Sequence, residues 1–221
     1  MDLKQRFFSM FDLASKIFSP PICSCCKQFL HERSVFCNSC DKKISPIISL
    51  PLKITQSRQM RIMAVCEYKE PVRSLILAKR YRNCLSSNQL AQLIWEKTFL
   101  KNMEYDLLVP VPLHWTRSAK RGFNQANVMA NYLSKKSGVA VVNLVKRCRQ
   151  TGYQAGLSAE KRYENVKDSF VLCDKKEEYK GKKIVIIDDL VTTGATIRAV
   201  AKSLLPLKPK SIIAVVAARV V

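Results

Sequence analysis

Two constellations in this chain combine residue types and spacings that could do chemistry. Cys23-x-x-Cys26 and Cys37-x-x-Cys40 are separated by ten residues, which lets four thiolates meet tetrahedrally around a zinc ion with a short hairpin between the two pairs. Cys25 beside Cys26 leaves the register of the first pair open, and the spacer is shorter than in the commonest paired-knuckle pattern. A segment this small has too little core to fold unaided, and a metal would make up the deficit. The plain alternative is a set of reduced structural thiols.

The second constellation is the run Ile184-Val185-Ile186-Ile187-Asp188-Asp189-Leu190-Val191-Thr192-Thr193-Gly194-Ala195-Thr196. An apolar, β-branched strand ends in two carboxylates, and a Thr/Gly turn then opens a helix. Backbone N–H groups and hydroxyls at such a helix start, with the helix dipole behind them, form a cup for a phosphate. Gly194 lets the backbone approach the anion. Two adjacent carboxylates would repel that phosphate directly, but they can accept hydrogen bonds from sugar hydroxyls one ribose length away. A strand followed by an Asp-capped helix is the alternative without a ligand.

These groups need a frame. Strand patterns cover residues 62–68, 107–112, 139–145, 182–187 and 211–217, and helical patterns cover 71–81, 88–100, 123–135, 158–166 and 196–204. Strands alternating with helices require crossover connections, so the expected fold class is α/β, with a mostly parallel sheet covered by helices on both faces and preceded by a small zinc-binding module. In such sheets ligands sit beyond the carboxyl ends of the strands. The expected division is an amphipathic helix at 1–18, the four-cysteine zinc module at 19–49, a linker at 50–61 and the main α/β domain at 62–221.

Composition narrows the partners. The chain has 221 residues, 48% hydrophobic and 25% charged, and its 38 Lys and Arg against 17 Asp and Glu give a formal charge of +21. An excess of that size calls for an anionic partner. The bases recur in clusters: Lys79, Arg80 and Arg82; Arg117, Lys120 and Arg121; Lys146, Arg147 and Arg149; Lys180, Lys182 and Lys183. One phosphate-bearing small molecule accounts for one cluster, so nucleic acid or an anionic membrane surface enters as a second partner; a solvated basic surface is the bland reading. Of nine cysteines, five fall between positions 23 and 40, a distribution that speaks for metal and against disulfides. Phe7, Phe8, Phe11, Ile17 and Phe18 have helical spacing, but Asp12 and Lys16 interrupt them and no small-residue cleavage site follows. The segment therefore reads as a helix packed on its own domain or lying in a membrane interface, not as a signal peptide. With no apolar run of about 18 residues, a cytoplasmic location is expected.

The 184–196 run resembles the phosphoribosyl diphosphate signature of type I phosphoribosyltransferases. The segment Val109-Pro110-Val111-Pro112-Leu113-His114 through Arg117, Lys120 and Arg121-Gly122-Phe123-Asn124-Gln125, a third block of Arg147, Thr151, Gln154, Leu157, Arg162, Asn165 and Phe170, and the four cysteines resemble the ComF family specifically. The resemblance implies ribose binding by Asp188 and Asp189, and 5′-phosphate binding by Leu190, Val191, Thr192, Thr193, Gly194, Ala195 and Thr196. It implies pyrophosphate binding by a loop carrying Arg121, with Lys120 and Arg117 as secondary candidates. A flexible loop with Gln154, Arg162 and Asn165 would fold over the ligand, and Asn124 or Gln125 either serves the site or merely caps the backbone. The implied cofactors are structural Zn2+ at Cys23, Cys26, Cys37 and Cys40, and Mg2+ with phosphoribosyl diphosphate.

ComF proteins are linked to natural transformation and act on incoming single-stranded DNA inside the cell. The implied partners are therefore phosphoribosyl diphosphate, single-stranded DNA, stacked on aromatics such as Tyr81, Trp115 and Tyr153, proteins of the competence machinery, and the inner membrane as a peripheral contact. An active phosphoribosyltransferase in nucleobase or nucleotide salvage is the alternative. It is weakened because the zinc module and its linker occupy the sequence position where such enzymes carry a base-binding hood.

Overall fold

Val-, Ile- and Ala-rich runs form the strands, and their alternation decides which layer each side chain joins. The computed structural model describes residues 21–32, 34–44, 48–78, 84–113, 122–148 and 169–220. In chain order the elements are α1 (Asn38–Asp41), β1 (Ile48–Lys53), β2 (Gln59–Glu67), α2 (Val72–Ala78), α3 (Cys84–Lys97), β3 (Leu107–Pro110), α4 (Gln125–Ser137), β4 (Ala140–Val141), β5 (Val145–Arg147), β6 (Phe170–Leu172), β7 (Lys183–Val191), α5 (Ala195–Leu204) and β8 (Ser211–Arg219). Among the described residues, six strands make one sheet in the order β1-β2-β8-β7-β3-β4. All its pairings are parallel except β1 with β2. Strands β5 and β6 form a separate antiparallel ribbon.

The sheet divides two cores. Met63, Val65, Leu108, Val185, Ile187 and Val215 face the layer of α2, α3 and α4. The intervening residues, among them Ile62, Val109, Ile184, Ile186 and Val216, face α5 and the β5–β6 ribbon. Strictly alternating apolar side chains on both faces are what a covered parallel sheet requires. Helix α5 carries Ile197, Val200, Ala201 and Leu204 on its buried stripe, at the i, i+3, i+4, i+7 spacing of a face laid on a sheet.

Three expectations are corrected. Residues 50–61 are not a linker: Leu50, Leu52 and Ile54 alternate toward the α5 core, and β1 pairs with β2 from Ile48↔Ala64 to Lys53↔Gln59. Pro51 fits because β1 is an edge strand, where a missing N–H costs no ladder bond. The single strand expected at 139–145 is two: β4 continues the main sheet beside β3, and the chain then leaves at Asn143 and Leu144 for the ribbon. The cysteine module is also not set apart. Cys23, Val35, Phe36 and Cys40 are buried in the same core as Leu90, Leu93 and Ile94 of α3, while Gln89 Nε2 donates to Ser24 Oγ at 2.8 Å and Lys97 meets Asp41 at 2.5 Å.

Candidate functional site

Strands β3 and β7 are neighbours, paired from Leu107↔Ile184 to Pro110↔Ile187. The helices that follow them go to opposite faces, α4 onto the Leu108 and Ile187 side and α5 onto the Ile184 and Ile186 side. Chains that leave adjacent parallel strands in opposite directions open a crevice between the carboxyl ends, the place where α/β sheets bind ligands. The starts of both helices border this crevice.

On the β7 side stand the residues singled out from sequence. Asp188 and Asp189 are half-buried and lie within the strand, which continues to Val191 beyond the apolar run that marks it in the sequence. The pairing Asp188↔Val216 and Leu190↔Ala218 holds both acids on a fixed backbone. The Asp188 carboxylate accepts the N–H of Asp189 at 2.9 Å. Thr192 and Thr193 are exposed at the turn, and Thr193 Oγ1 accepts the Ala195 N–H at 3.4 Å.

Gly194, at the N-cap of α5, has φ +75° and brings no side-chain cap. A Cβ there would come within 3.0 Å of Leu52 Cδ1 and 3.6 Å of Ile62 Cδ1. The edge strand β1 thus backs the turn from behind, and only glycine meets both the dihedral and the space. Residues 188–197 line a cavity of about 290 Å³. It joins two carboxylates to two threonines and a helix start, so one wall can take hydroxyls and the other an anion.

A larger cavity, about 600 Å³, lies between the cysteine module and α3, with Phe29, His31, Phe36 and Leu93 among its lining residues. Its described lining includes neither adjacent acids nor a glycine-capped helix start.

On the β3 side, Val111 N–H donates to Ile187 O at 2.9 Å and carries the β3 ladder one step further. Asn124 caps α4: its Oδ1 accepts the Ala126 N–H at 3.1 Å and its Nδ2 donates to Val111 O at 3.0 Å. Arg117, Lys120 and Arg121 lie outside the described residues, as do Gln154, Arg162 and Asn165, the expected helices at 1–18 and 158–166, and Tyr81, Trp115 and Tyr153. The segment that holds the third block leaves from and returns to one place, because Cys148 N–H donates to Ser169 O at 2.9 Å. At that base the Arg147 guanidinium lies over the Phe170 ring, 5.3 Å from its centroid.

The sulfur positions give the cysteine register. Cys23, Cys26, Cys37 and Cys40 bring their sulfurs within 4.8 Å of one another, with Cys26 and Cys37 at 3.6 Å; Cys25 packs instead against the apolar core. Four sulfurs tetrahedral about a metal at about 2.3 Å would lie roughly 3.8 Å apart, so this group can hold a metal such as zinc.

The first pair sits on a tight turn closed by Lys27 N–H to Cys23 O and Cys23 N–H to Gln28 O, with Lys27 at φ 63°. The second pair opens α1, where Asp41 N–H donates to Cys37 O. Burial works against the Cys23 thiolate, but the backbone N–H groups of Cys37, Cys26 and Cys25 outweigh it and bring that thiol down to about 6. Burial and the neighbouring sulfurs push Cys40 up. A low and a high thiol in one cluster is what four crowded sulfurs sharing few donors produce, and a divalent cation relieves it by taking all four as thiolates. Cys66 stands apart; burial, then the Glu67 charge, pushes it up to about 12, and it belongs to the core.

Residues 90–220 match the phosphoribosyl transferase domain family, more than half of the chain. The chain is 29% identical over 196 residues to Competence protein F of Haemophilus influenzae, covering 86% of this chain and 80% of that protein. It is 30% identical over 194 residues to the DNA utilization protein YhgH of Salmonella typhimurium, covering 83% and 84%. Competence protein ComFC of Bacillus subtilis is similar at 27% over 194 residues, covering 76% and 77%.

The chain belongs to the ComF family.

The crevice between β3 and β7 falls within the matched transferase domain of this ComF protein, while the cysteine cluster precedes it. Two positions beside the site are settled only by the structure. Leu52 reads as a linker residue, and only the alternation with Leu50 and Ile54 marks it as a strand position. Gln125 reads as an alternative cap beside Asn124, but Asn124 alone makes the capping bonds.

Proposed function

We propose that this ComF-family protein binds phosphoribosyl diphosphate with Mg2+ in the β3–β7 crevice, holds a structural zinc ion on its four cysteines, and handles single-stranded DNA during natural transformation. The observation that carries the small-molecule part is the continuous order of paired acids, exposed threonines and glycine-capped helix around one cavity. The ribose 2′- and 3′-hydroxyls would donate to Asp188 and Asp189. The 5′-phosphate would take the backbone N–H groups and hydroxyls of residues 192–196. The diphosphate would then extend toward β3, where Mg2+ would neutralise part of its charge. The competence role rests on the names of the relatives, Competence protein F and ComFC. The single-strand role rests on the +21 charge. The proteins of the competence machinery and the inner membrane are further proposed partners, and a cytoplasmic location belongs to the same reading. Among the described residues no helix is long and apolar enough to cross a membrane.

The second reading, a working phosphoribosyltransferase, is favoured by the match of residues 90–220 to that domain. Both readings need the same ligand, and calorimetric titration of phosphoribosyl diphosphate with Mg2+ tests it. Wild type should bind saturably, and an Asp188→Ala, Asp189→Ala double variant should lose at least about a hundredfold, since two charged acceptors of hydrogen bonds at about 1.5–3 kcal/mol each are removed. No binding by wild type overturns the proposal. Release of pyrophosphate with a nucleobase would decide for the enzyme.

A further inference from the structure

The larger cavity, between the cysteine module and α3, has a volume of about 600 Å³, in the range of pockets that bury a whole ligand. Val35, Phe36 and Leu93 are its buried apolar lining. Phe29 lines it too but is 72% exposed, and Ile22, which forms a β-bridge with Phe29, is 46% exposed. A large aromatic left in water beside a hollow and rimmed by polar residues marks an interaction surface. The lining is also acidic in a chain of charge +21: it carries Glu32, Asp41 and Glu96 against Lys97. Lys97 pairs with Asp41 at 2.5 Å, and among the described residues Glu32 and Glu96 meet no cation. An occupant that fits is apolar on one side and basic at its borders.

We propose that the chain's own N-terminal segment, residues 3–18, folds back as a helix into this cavity and ties the cysteine module to α3. The segment lies outside the described residues, but the point where it joins them is fixed. Leu30 N–H donates to Pro21 O at 2.8 Å and Ile22 bridges Phe29, so the chain enters beside two residues of the lining. Phe18 is three residues from Pro21, within about 11 Å of it. Wound at about 3.6 residues per turn, Phe7, Met10, Phe11, Ala14, Ile17 and Phe18 fall in one stripe, with Lys4 and Arg6 at its two borders. An amphipathic helix laying such anchors into an apolar groove is a recurring mode of recognition. The short tether raises its effective concentration, so modest contacts are enough to hold it.

The test introduces the photoreactive substitution Phe11→benzoylphenylalanine into the full-length protein and maps its adducts by mass spectrometry; amide hydrogen exchange of residues 5–18 is read on the unsubstituted chain. Adducts should fall within residues 28–41 or 93–97 of the same chain, and the segment's amides should exchange more slowly than those of an unstructured peptide. Phe29→Ser combined with Glu96→Lys changes two exposed side chains of the lining, so the sheet and the module should keep their own protection. In that variant the protection of residues 5–18 should fall by about tenfold or more, the effect of losing one apolar anchor.

Adducts between two chains would give the cavity to a second copy, and adducts or protection that appear only when phosphatidylglycerol vesicles are added would give the segment to a membrane; either result overturns the proposal. Adducts elsewhere in the chain, rapid exchange throughout residues 5–18, or protection that the double variant leaves unchanged overturn it as well. The adduct map needs neither lining substitution, so the proposal can fail on it alone.

Discussion

Gly194 is the residue at which backbone, packing and ligand chemistry meet. Its φ of +75° lies in the left-handed region, which costs an L-residue about 1–2 kcal/mol, and a methyl group there would press on Leu52 Cδ1 at 3.0 Å. Leu52 is a flexible side chain and can give way, so Gly194→Ala should fold with a loss of about 1–3 kcal/mol. The turn it leaves behind would no longer present its N–H groups to one point, and phosphoribosyl diphosphate affinity should fall by about tenfold or more. Denaturant titration beside calorimetry gives both numbers; an alanine variant with wild-type stability and affinity would mean that the turn is not held as described. Much of this site can be read directly because its residues are contiguous: strand, acids, turn and helix follow within 184–196. The start of α4 cannot, since Asn124 and Gln125 have equally good claims to the cap until the bonds of Asn124 to Ala126 and Val111 are seen.

Among the elements, the cysteine module and β1 are the two whose roles differ most from a reading by segments. Composition separates residues 19–49 from the rest, yet Val35 and Phe36 are 2% and 4% exposed and share their core with α3. Patterning finds β2, β3, β7 and β8 because parallel strands buried on both faces are apolar throughout. It misses β1 because an edge strand with Pro51 and alternating polar positions looks like a connection. The shared core has an energetic consequence. If the four cysteines hold a metal, its loss would free the two knuckles, and re-exposing Val35 and Phe36 would cost about 1.5–3 kcal/mol each. Strong chelation, or Cys37→Ser, should therefore lower the melting temperature of the whole chain by on the order of 10 °C instead of melting the module alone. Scanning calorimetry with and without chelator, alongside metal analysis, decides it. A main transition that does not move would show the module to be thermally independent of the sheet.

At the scale of the molecule, the crevice cannot use all of the +21 charge. Some of the bases serve internal pairs: Lys183 meets Glu104 at 2.7 Å, Lys180 meets Glu177 at 2.5 Å, and Arg58 donates to Pro209 O. Others stand exposed at the opposite end of the sheet. Lys53 ends β1 beside the first residue of β2, and Lys208 and Lys210 lead into β8. Strands β1 and β8 flank β2, so these three bases share the amino end of the sheet. If the single strand is held by such contacts, binding should be governed by counterion release, with a log–log salt slope of about −0.7 per phosphate neutralised. Roughly five phosphates would then cost about a hundredfold in affinity between about 50 and 200 mM salt. Converting Lys53, Lys208 and Lys210 together to Glu should flatten the slope by about 2 while leaving phosphoribosyl diphosphate affinity intact, because the two ligands would occupy opposite ends of one sheet. Fluorescence anisotropy with a labelled oligonucleotide across a salt series reads the slope directly. A flat wild-type slope would remove the electrostatic account of DNA handling; a steep slope that survives the triple substitution would move the strand to the crevice end, where it would have to compete with phosphoribosyl diphosphate.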